Sequence, residues 1–213
     1  MPRIVLLGAP GAGKSSHSAC INKALGIPAI ASGDILRDNV KKGTEYGKQA
    51  ERHIEAGELV PDELIIAIIM KRLNEDDAKN GFLLDGFPRT IAQAEALCKS
   101  LAKTGEELDY VLFLNAPKEI FVNRIASRRF CPACGGAFRL DDIPEEVCRT
   151  CGVNLVQRDD DDAKTVANRI DVFEKQTAPL VEYYKEQGLL VEIDASFDID
   201  TVQVQINKGL GIE

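Results

Sequence analysis

The sequence predicts an α/β fold: a doubly wound, five-stranded parallel sheet with two flaps inserted into it. Three observations predict it. Five short apolar runs, at residues 3–7, 26–30, 82–84, 110–114 and 189–193, alternate with segments whose apolar residues recur on a helical period. The runs are continuously apolar, as expected of strands covered on both faces. Two further stretches, about 31–60 and 127–161, hold too few large apolar residues to belong to such a core.

A chain of 213 residues with 45% hydrophobic content can bury the core of one such domain. The net charge of −8 argues against a surface built for nucleic acid or anionic membranes, so an anionic ligand needs a local basic patch. No apolar run approaches the length of a membrane span, and the N-terminus reads as a strand rather than a signal peptide. The expectation is a soluble cytoplasmic monomer, with neither nucleic acid nor membrane as partner.

The chain is organised around Gly8-Ala9-Pro10-Gly11-Ala12-Gly13-Lys14-Ser15-Ser16. This stretch lies between the first apolar run and a helical segment carrying Ala19, Ile21, Ala24 and Leu25. Its spacing fits the phosphate-binding pattern G-x-x-x-x-G-K-[ST]. Glycines let successive backbone N–H groups point into one concavity without a Cβ clash. The helix start adds partial positive charge there, and Lys14 adds a full one. The plain alternative is a glycine-rich strand–turn–helix corner.

Residues 26–30 read as the second strand. The stretch 31–60 is polar and helical, with Ile35, Leu36, Val40, Tyr46 and Ile54 as its few apolar positions, so it is expected to form an appended flap that buries little. Pro61 and Asp62 separate it from a strongly apolar helix over 64–69, which must be buried. Residues 82–84 read as a central strand ending in Asp85, where a Walker-B type carboxylate sits near a nucleotide's metal; a helix or turn cap is the other reading. Gly86 and Pro88 fix a turn that presents Arg89, and a helix with Gln93 and Leu97 runs on to about residue 104. A later helix, from residue 117 or 118, is expected to carry Arg124 and Arg128 four apart on one face. Like charges there repel and ask for an anion, or are simply solvated. Lys14, Ser32, Asp85 and Arg89 all fall just beyond strand carboxyl ends, where ligands of such sheets bind.

Of six cysteines, Cys20 and Cys98 stand alone in helical patterns and read as small core residues. Cys131/Cys134 and Cys148/Cys151 are C-x-x-C pairs with thirteen residues between them. In a cytosolic chain that spacing reads as zinc. Four thiolates leave no open coordination position, so the metal is structural, and it supplies folding energy that residues 130–157 lack in apolar side chains. The acidic run 159–162 reads as a solvated face or a helix start. A long helix follows, lined by Val166, Ile170, Phe173, Leu180, Val181 and Tyr184 and kinked or restarted at Pro179. His17 and His53 read as packing or surface residues.

Taken together, these motifs resemble those of the adenylate kinases, nucleoside monophosphate kinases, in their bacterial type with a long zinc-bearing lid. The resemblance spans essentially the whole chain. It rests on the loop from Gly8 to Lys14, Ser32-Gly-Asp-Ile-Leu-Arg37, Gly81-Phe-Leu-Leu-Asp-Gly-Phe-Pro-Arg89-Thr with Gln93, Arg128-Arg129, the paired C-x-x-C, and the stretch from Arg158 to Arg169. It implies Mg²⁺-dependent, reversible phosphoryl transfer from ATP to AMP, giving two ADP. It further implies that Gly11, Ala12, Gly13, Lys14, Ser15 and Ser16 wrap the ATP phosphates. Ser32, Arg37, Glu58, Leu59, Val60, Gly86, Phe87, Pro88 and Arg89 would hold AMP, with Gln93 reading the adenine edge. Arg124, Arg128, Arg158 and Arg169 would close over the phosphates, the last two also reaching AMP. Ala137 and Phe138 would touch the ATP base from the lid, Phe197 would offer it a backbone carbonyl, and Asp85 would hold Mg²⁺ through water.

The resemblance divides the chain into a P-loop core (1–30, 61–126 and 162–213), an AMP-binding flap (31–60) and a zinc-binding lid (127–161). Several positions depart from the family pattern: Ser15-Ser16 replaces Gly-Thr, Ser32 replaces Thr, Ser127 replaces a hinge Gly, Phe197 replaces a polar residue, and the stretch between the cysteine pairs is shorter. An arginine and lysine set without a nucleophile or general base suits phosphoryl transfer, which needs positioning and charge neutralisation. The competing readings are a kinase for CMP, UMP or GMP, and a non-catalytic zinc-ribbon module that binds nucleic acid beside a vestigial P-loop.

Overall fold

The computed structural model describes residues 1–143, 145–158 and 161–212. The chain begins with β1 (Arg3–Gly8), α1 (Lys14–Leu25) and β2 (Ala29–Ala31), then folds the helices α2 (Ser32–Lys41), α3 (Glu45–Ala56) and α4 (Asp62–Leu73). Next come β3 (Phe82–Asp85), α5 (Ile91–Ala102), β4 (Tyr110–Asn115) and α6 (Lys118–Ala126). A small hairpin of β5 (Arg128–Phe130) and β6 (Ala137–Arg139) opens the cysteine segment. The chain ends with α7 (Ala163–Val172), α8 (Pro179–Glu186), β7 (Leu190–Asp194) and α9 (Ile199–Leu210). The main sheet is parallel throughout, in the order β2-β3-β1-β4-β7.

Successive residues of a strand point to opposite faces, and here each face has its own core. Val5, Leu7, Leu84 and Val111 are buried with residues of α4, α5 and α8 on one side. Ile4, Leu6, Leu83 and Leu112 are buried with α1, α6 and α9 on the other. This is the doubly wound sheet that the continuous apolar runs imply.

The segment 31–60 forms a helical hairpin, α2 and α3, joined by a short turn. Its helices touch backbone to backbone: a Cβ on Gly47 would lie 2.2 Å from the carbonyl oxygen of Asn39. Contrary to expectation, the segment is not apart from the core. Leu36, Ala50 and Val60 belong to the same buried cluster as Val5 and Leu7. Three well-placed small or medium residues seat a polar hairpin.

Two other expectations are corrected. Helix α6 stops at Ala126, with Ser127 as its cap, so Arg128 and Arg129 lie in strand β5. Arg124 and Arg128 therefore do not share a helix face. Cys20 is exposed and Cys98 half-buried; α1 buries His17, Ser18 and Ile21 instead, a face that leaves Cys20 outside. The long helix after the acidic run restarts at Pro179, as expected, and is in three pieces. Proline has no N–H to donate, so residues 173–177 widen into a π turn, with the Ala178 N–H donating to the Phe173 carbonyl at 2.8 Å, and α8 restarts at Pro179. In the acidic run, Asp159 and Asp160 lie outside the described residues, and Asp162 caps α7 by accepting from the N–H groups of Lys164 and Thr165. Among the described residues no helix is long and apolar enough to cross a membrane.

Candidate active site

Strand β1 delivers the chain into the glycine-rich loop at the carboxyl edge of the sheet. Gly11 has φ 85°, and a Cβ there would lie 2.5 Å from the Phe121 carbonyl oxygen, so the loop needs glycine for both conformation and space. Lys14, the first residue of α1, folds back over this loop. Its Nζ donates to the carbonyls of Gly8 at 2.7 Å and Ala9 at 3.0 Å. Burial pushes the Lys14 ammonium down to about 8, helped by the nearby Arg89, Arg169 and Arg128 and opposed by Asp85. Asp85, buried at the end of β3, accepts a 2.9 Å hydrogen bond from the Ser15 hydroxyl. The carboxylate thus faces the phosphate loop and caps no helix. Its oxygens and those of Ser15 suit a hard divalent cation such as Mg²⁺.

A second cavity opens beneath the α2–α3 hairpin. Ser32, Arg37, Leu59, Arg89, Gln93 and Arg169 line it, with Glu58, Val60 and Gly86 beside them. The Gly86 carbonyl accepts from both the Ser32 hydroxyl and Arg89 Nε, each at 2.7 Å. Phe87 is fully buried beneath this turn and precedes Pro88 through a cis peptide. Arg37 pairs with Asp34 at 2.6 Å, and Glu58 meets His53 Nδ1 at 3.3 Å. A neighbouring cavity at the phosphate loop is lined by Gly8, Lys14 and Pro88, and again by Arg89 and Arg169. Arg89 and Arg169 thus stand where the two cavities meet.

Gln93 is 2% exposed and locked by its neighbours. Its Oε1 accepts from the Arg89 backbone N–H at 2.7 Å, and its Nε2 donates to Asp62 Oδ1 at 2.7 Å. The Thr90 hydroxyl donates to Asp62 Oδ2 at 3.0 Å and accepts from the Gln93 N–H at 3.2 Å.

The arginines occupy more specific places than their spacing implied. Arg124 donates to the carbonyls of Ala195 at 2.7 Å and Phe197 at 2.8 Å, which directs it to the loop before α9 rather than to the phosphate loop. Arg128 makes a two-pronged pair with Asp161, its Nε at 2.9 Å from Oδ2 and its Nη2 on Oδ1. Arg169 reaches the same carboxylate at 3.3 Å. Arg158 stacks on the Phe130 ring, 4.6 Å from its centroid. Asp161, almost fully buried, is a site residue that the acidic run concealed; its signal was its place between Arg158 and Arg169. Asp62, read as a helix break, is another.

In the cysteine segment, Ala137 is exposed, and the Phe138 ring packs on the small cluster of Cys131, Ile143, Cys148 and Leu155. The Phe197 side chain is half exposed. His17 is a packing residue: it is buried, with Nδ1 2.9 Å from Gln203 Oε1.

The four cysteines converge. The Sγ atoms of Cys131, Cys134, Cys148 and Cys151 all lie within 4.8 Å of one another, and Cys134 and Cys148 are 3.8 Å apart. A tetrahedron of zinc–thiolate bonds of about 2.3 Å has edges of about 3.8 Å, so the donor set fits. Each pair is presented by the same knuckle. The Gly135 N–H donates to the Cys131 carbonyl at 3.0 Å, and the Gly152 N–H to the Cys148 carbonyl at 2.8 Å. The Cys131 N–H reaches the Gly136 carbonyl and the Cys148 N–H the Val153 carbonyl, both at 2.8 Å.

A parallel doubly wound sheet, a phosphate loop with its lysine and carboxylate, and a second arginine-lined cavity define a P-loop phosphotransferase. The family model for adenylate kinase matches residues 6–189. The chain is 49% identical over 214 residues to an adenylate kinase of Caldicellulosiruptor saccharolyticus, covering 99% of this chain and 100% of that one. It is 49% identical over 212 residues to one from Moorella thermoacetica, covering 98% of each, and 46% identical over 212 residues to one from Lachnospira eligens, covering 98% of this chain and all of that one. The chain belongs to the adenylate kinase family.

Proposed function

We propose that the enzyme catalyses MgATP + AMP ⇌ 2 ADP, with ATP at the phosphate loop and AMP in the cavity beneath the α2–α3 hairpin. The observation that carries this reading is the pair of cavities that meet at Arg89 and Arg169. Two nucleotides entering from opposite sides bring their phosphates together between these guanidinium groups.

The backbone N–H groups of residues 11–16 would cradle the ATP phosphates, and Lys14 would leave its carbonyl partners for the transferring one. Arg89 and Arg169 would bind phosphate oxygens by the two-pronged contacts that a guanidinium makes. Holding donor and acceptor in line is most of the catalysis, because phosphoryl transfer asks little covalent chemistry of the protein. Arg128 and Arg158, carried by the cysteine segment, would close over the same place and exclude water, which otherwise hydrolyses ATP. Mg²⁺, when bound, neutralises phosphate charge, and Asp85 with Ser15 would hold it. Ser32, Arg37 and the backbone of residues 58–60 would hold AMP, with Gln93 at its base. Arg124 would act through the loop of Ala195 and Phe197, beside the ATP base. Zinc on the four cysteines would be structural. This reading assigns residues 31–60 to an AMP-binding flap, 127–161 to a lid and the remainder to the core.

Arg89→Ala tests the shared position. ADP formation should fall by at least about a hundredfold, since an electrostatic contact of this kind contributes several kcal/mol in the transition state. Thermal unfolding should remain close to wild type. Wild-type turnover in this variant would refute the placement.

A further inference from the structure

The amide of Gln93 has two N–H donors and two acceptor lone pairs. One of each is used inside the protein, on Asp62 and on the Arg89 backbone N–H. Neither partner can exchange roles. A backbone N–H only donates, so the Gln93 atom facing it is the oxygen. A carboxylate only accepts, so the atom facing Asp62 is the nitrogen. A half-turn of the amide would set N–H against N–H and oxygen against oxygen. Thr90 closes the ring by holding the other oxygen of Asp62. Asp62 is itself fixed as the first residue of α4, directly after Pro61. What is left for a ligand is one N–H and one oxygen lone pair, in fixed order, at the wall of the cavity that Gln93 lines.

We infer that Asp62 is a positioning residue that sets the acceptor-base selectivity, by holding the Gln93 amide in one orientation. The inference rests on the reading that AMP occupies this cavity with its base at Gln93. Adenine presents an amino donor beside a ring-nitrogen acceptor. Hypoxanthine, otherwise the same ring system, presents a carbonyl acceptor beside an N–H donor. The fixed amide complements the first pattern and opposes the second, so the site selects 6-aminopurine monophosphates. A glutamine free to turn would serve both.

The test compares kcat/KM for AMP and for inosine monophosphate, with MgATP as donor. Asp62→Leu should lower the AMP-to-inosine ratio by about tenfold or more, the size of one bidentate base contact. Asp62→Asn keeps an acceptor oxygen towards Gln93 and should stay within about threefold of the wild-type ratio by the same measure. In a Gln93→Leu background, Asp62→Leu should change the ratio less than about twofold, because Asp62 acts only through Gln93. Thr90→Val releases Asp62 without altering either partner of the amide. It should shift the ratio in the same direction as Asp62→Leu, and serves if Asp62→Leu folds poorly. An unchanged ratio in folded Asp62→Leu or Thr90→Val overturns the inference, as does an equal drop with and without Gln93. A wild-type enzyme that uses both monophosphates alike, or neither, overturns the underlying reading of the cavity instead, and is seen before any variant is made.

Discussion

Lys14 sits with its ammonium on two backbone carbonyls, with three arginines nearby and Asp85 as counter-charge. Burial and those arginines hold it down to about 8. At about pH 9 the free enzyme therefore carries this lysine mostly neutral. Nucleotide phosphates arriving beside it favour the charged form, so binding raises its pKa and takes up a proton. Calorimetric titration with ATP in buffers of different ionisation enthalpy should show uptake approaching one proton per site at about pH 9 and almost none at about pH 7. Lys14→Met should abolish the difference, and pH-independent binding by the wild type would show that Lys14 does not face the phosphates. Lys14, Asp85, Arg89 and Gln93 were legible because each lies in a short motif whose spacing encodes its role. Asp62 and Asp161 were not. Asp62 faces Thr90 and Gln93, and Asp161 faces Arg128, across large sequence separations. No local pattern marks a carboxylate as the partner of a distant group.

The elements differ in how firmly sequence specifies them. The hairpin of α2 and α3 depends on a residue that sequence did not flag. Gly47 lies inside a helix, where glycine is intrinsically unfavourable, because the Asn39 carbonyl lies where its side chain would be. Gly47→Ala should force the helices apart, at a cost of about 1–3 kcal/mol. It should raise KM for AMP well above any change in KM for ATP, and steady-state kinetics with each substrate varied in turn will show it. Equal effects on both would mean that the hairpin does not belong to one substrate. The cysteine segment was legible as a metal module from its repeated C-x-x-C-G. Its arginines were misplaced because α6 ends three residues before Arg129 and a strand begins. Few apolar side chains hold this segment, so a metal on its four cysteines would carry much of its stability. Cys134→Ser, or chelation of the metal, should lower the unfolding temperature and loosen residues 128–157, with the sheet's circular dichroism retained. Full protection of those amides from hydrogen exchange in metal-free protein would contradict this.

At the scale of the molecule, the five-stranded sheet brings distant motifs to one edge. The phosphate loop after β1, Asp85 at the end of β3 and Ser32 after β2 meet there because β2, β3 and β1 are neighbours in the sheet. The order of strands was not readable from the runs themselves, since each is apolar on both faces and none specifies its neighbour. What could be read was that the carboxyl ends collect the chemistry. The two cavities and their shared arginines follow from that edge, and the central claim is that the one beneath the hairpin takes AMP. The most direct measurement is a coupled assay of ADP formation from MgATP, with AMP, CMP, UMP and GMP as separate acceptors. Turnover with AMP, and little with the other three, is the result expected of two adenine nucleotides meeting at Arg89 and Arg169. Preferred turnover of CMP, UMP or GMP, or none with any acceptor in folded, metal-loaded protein, would contradict it.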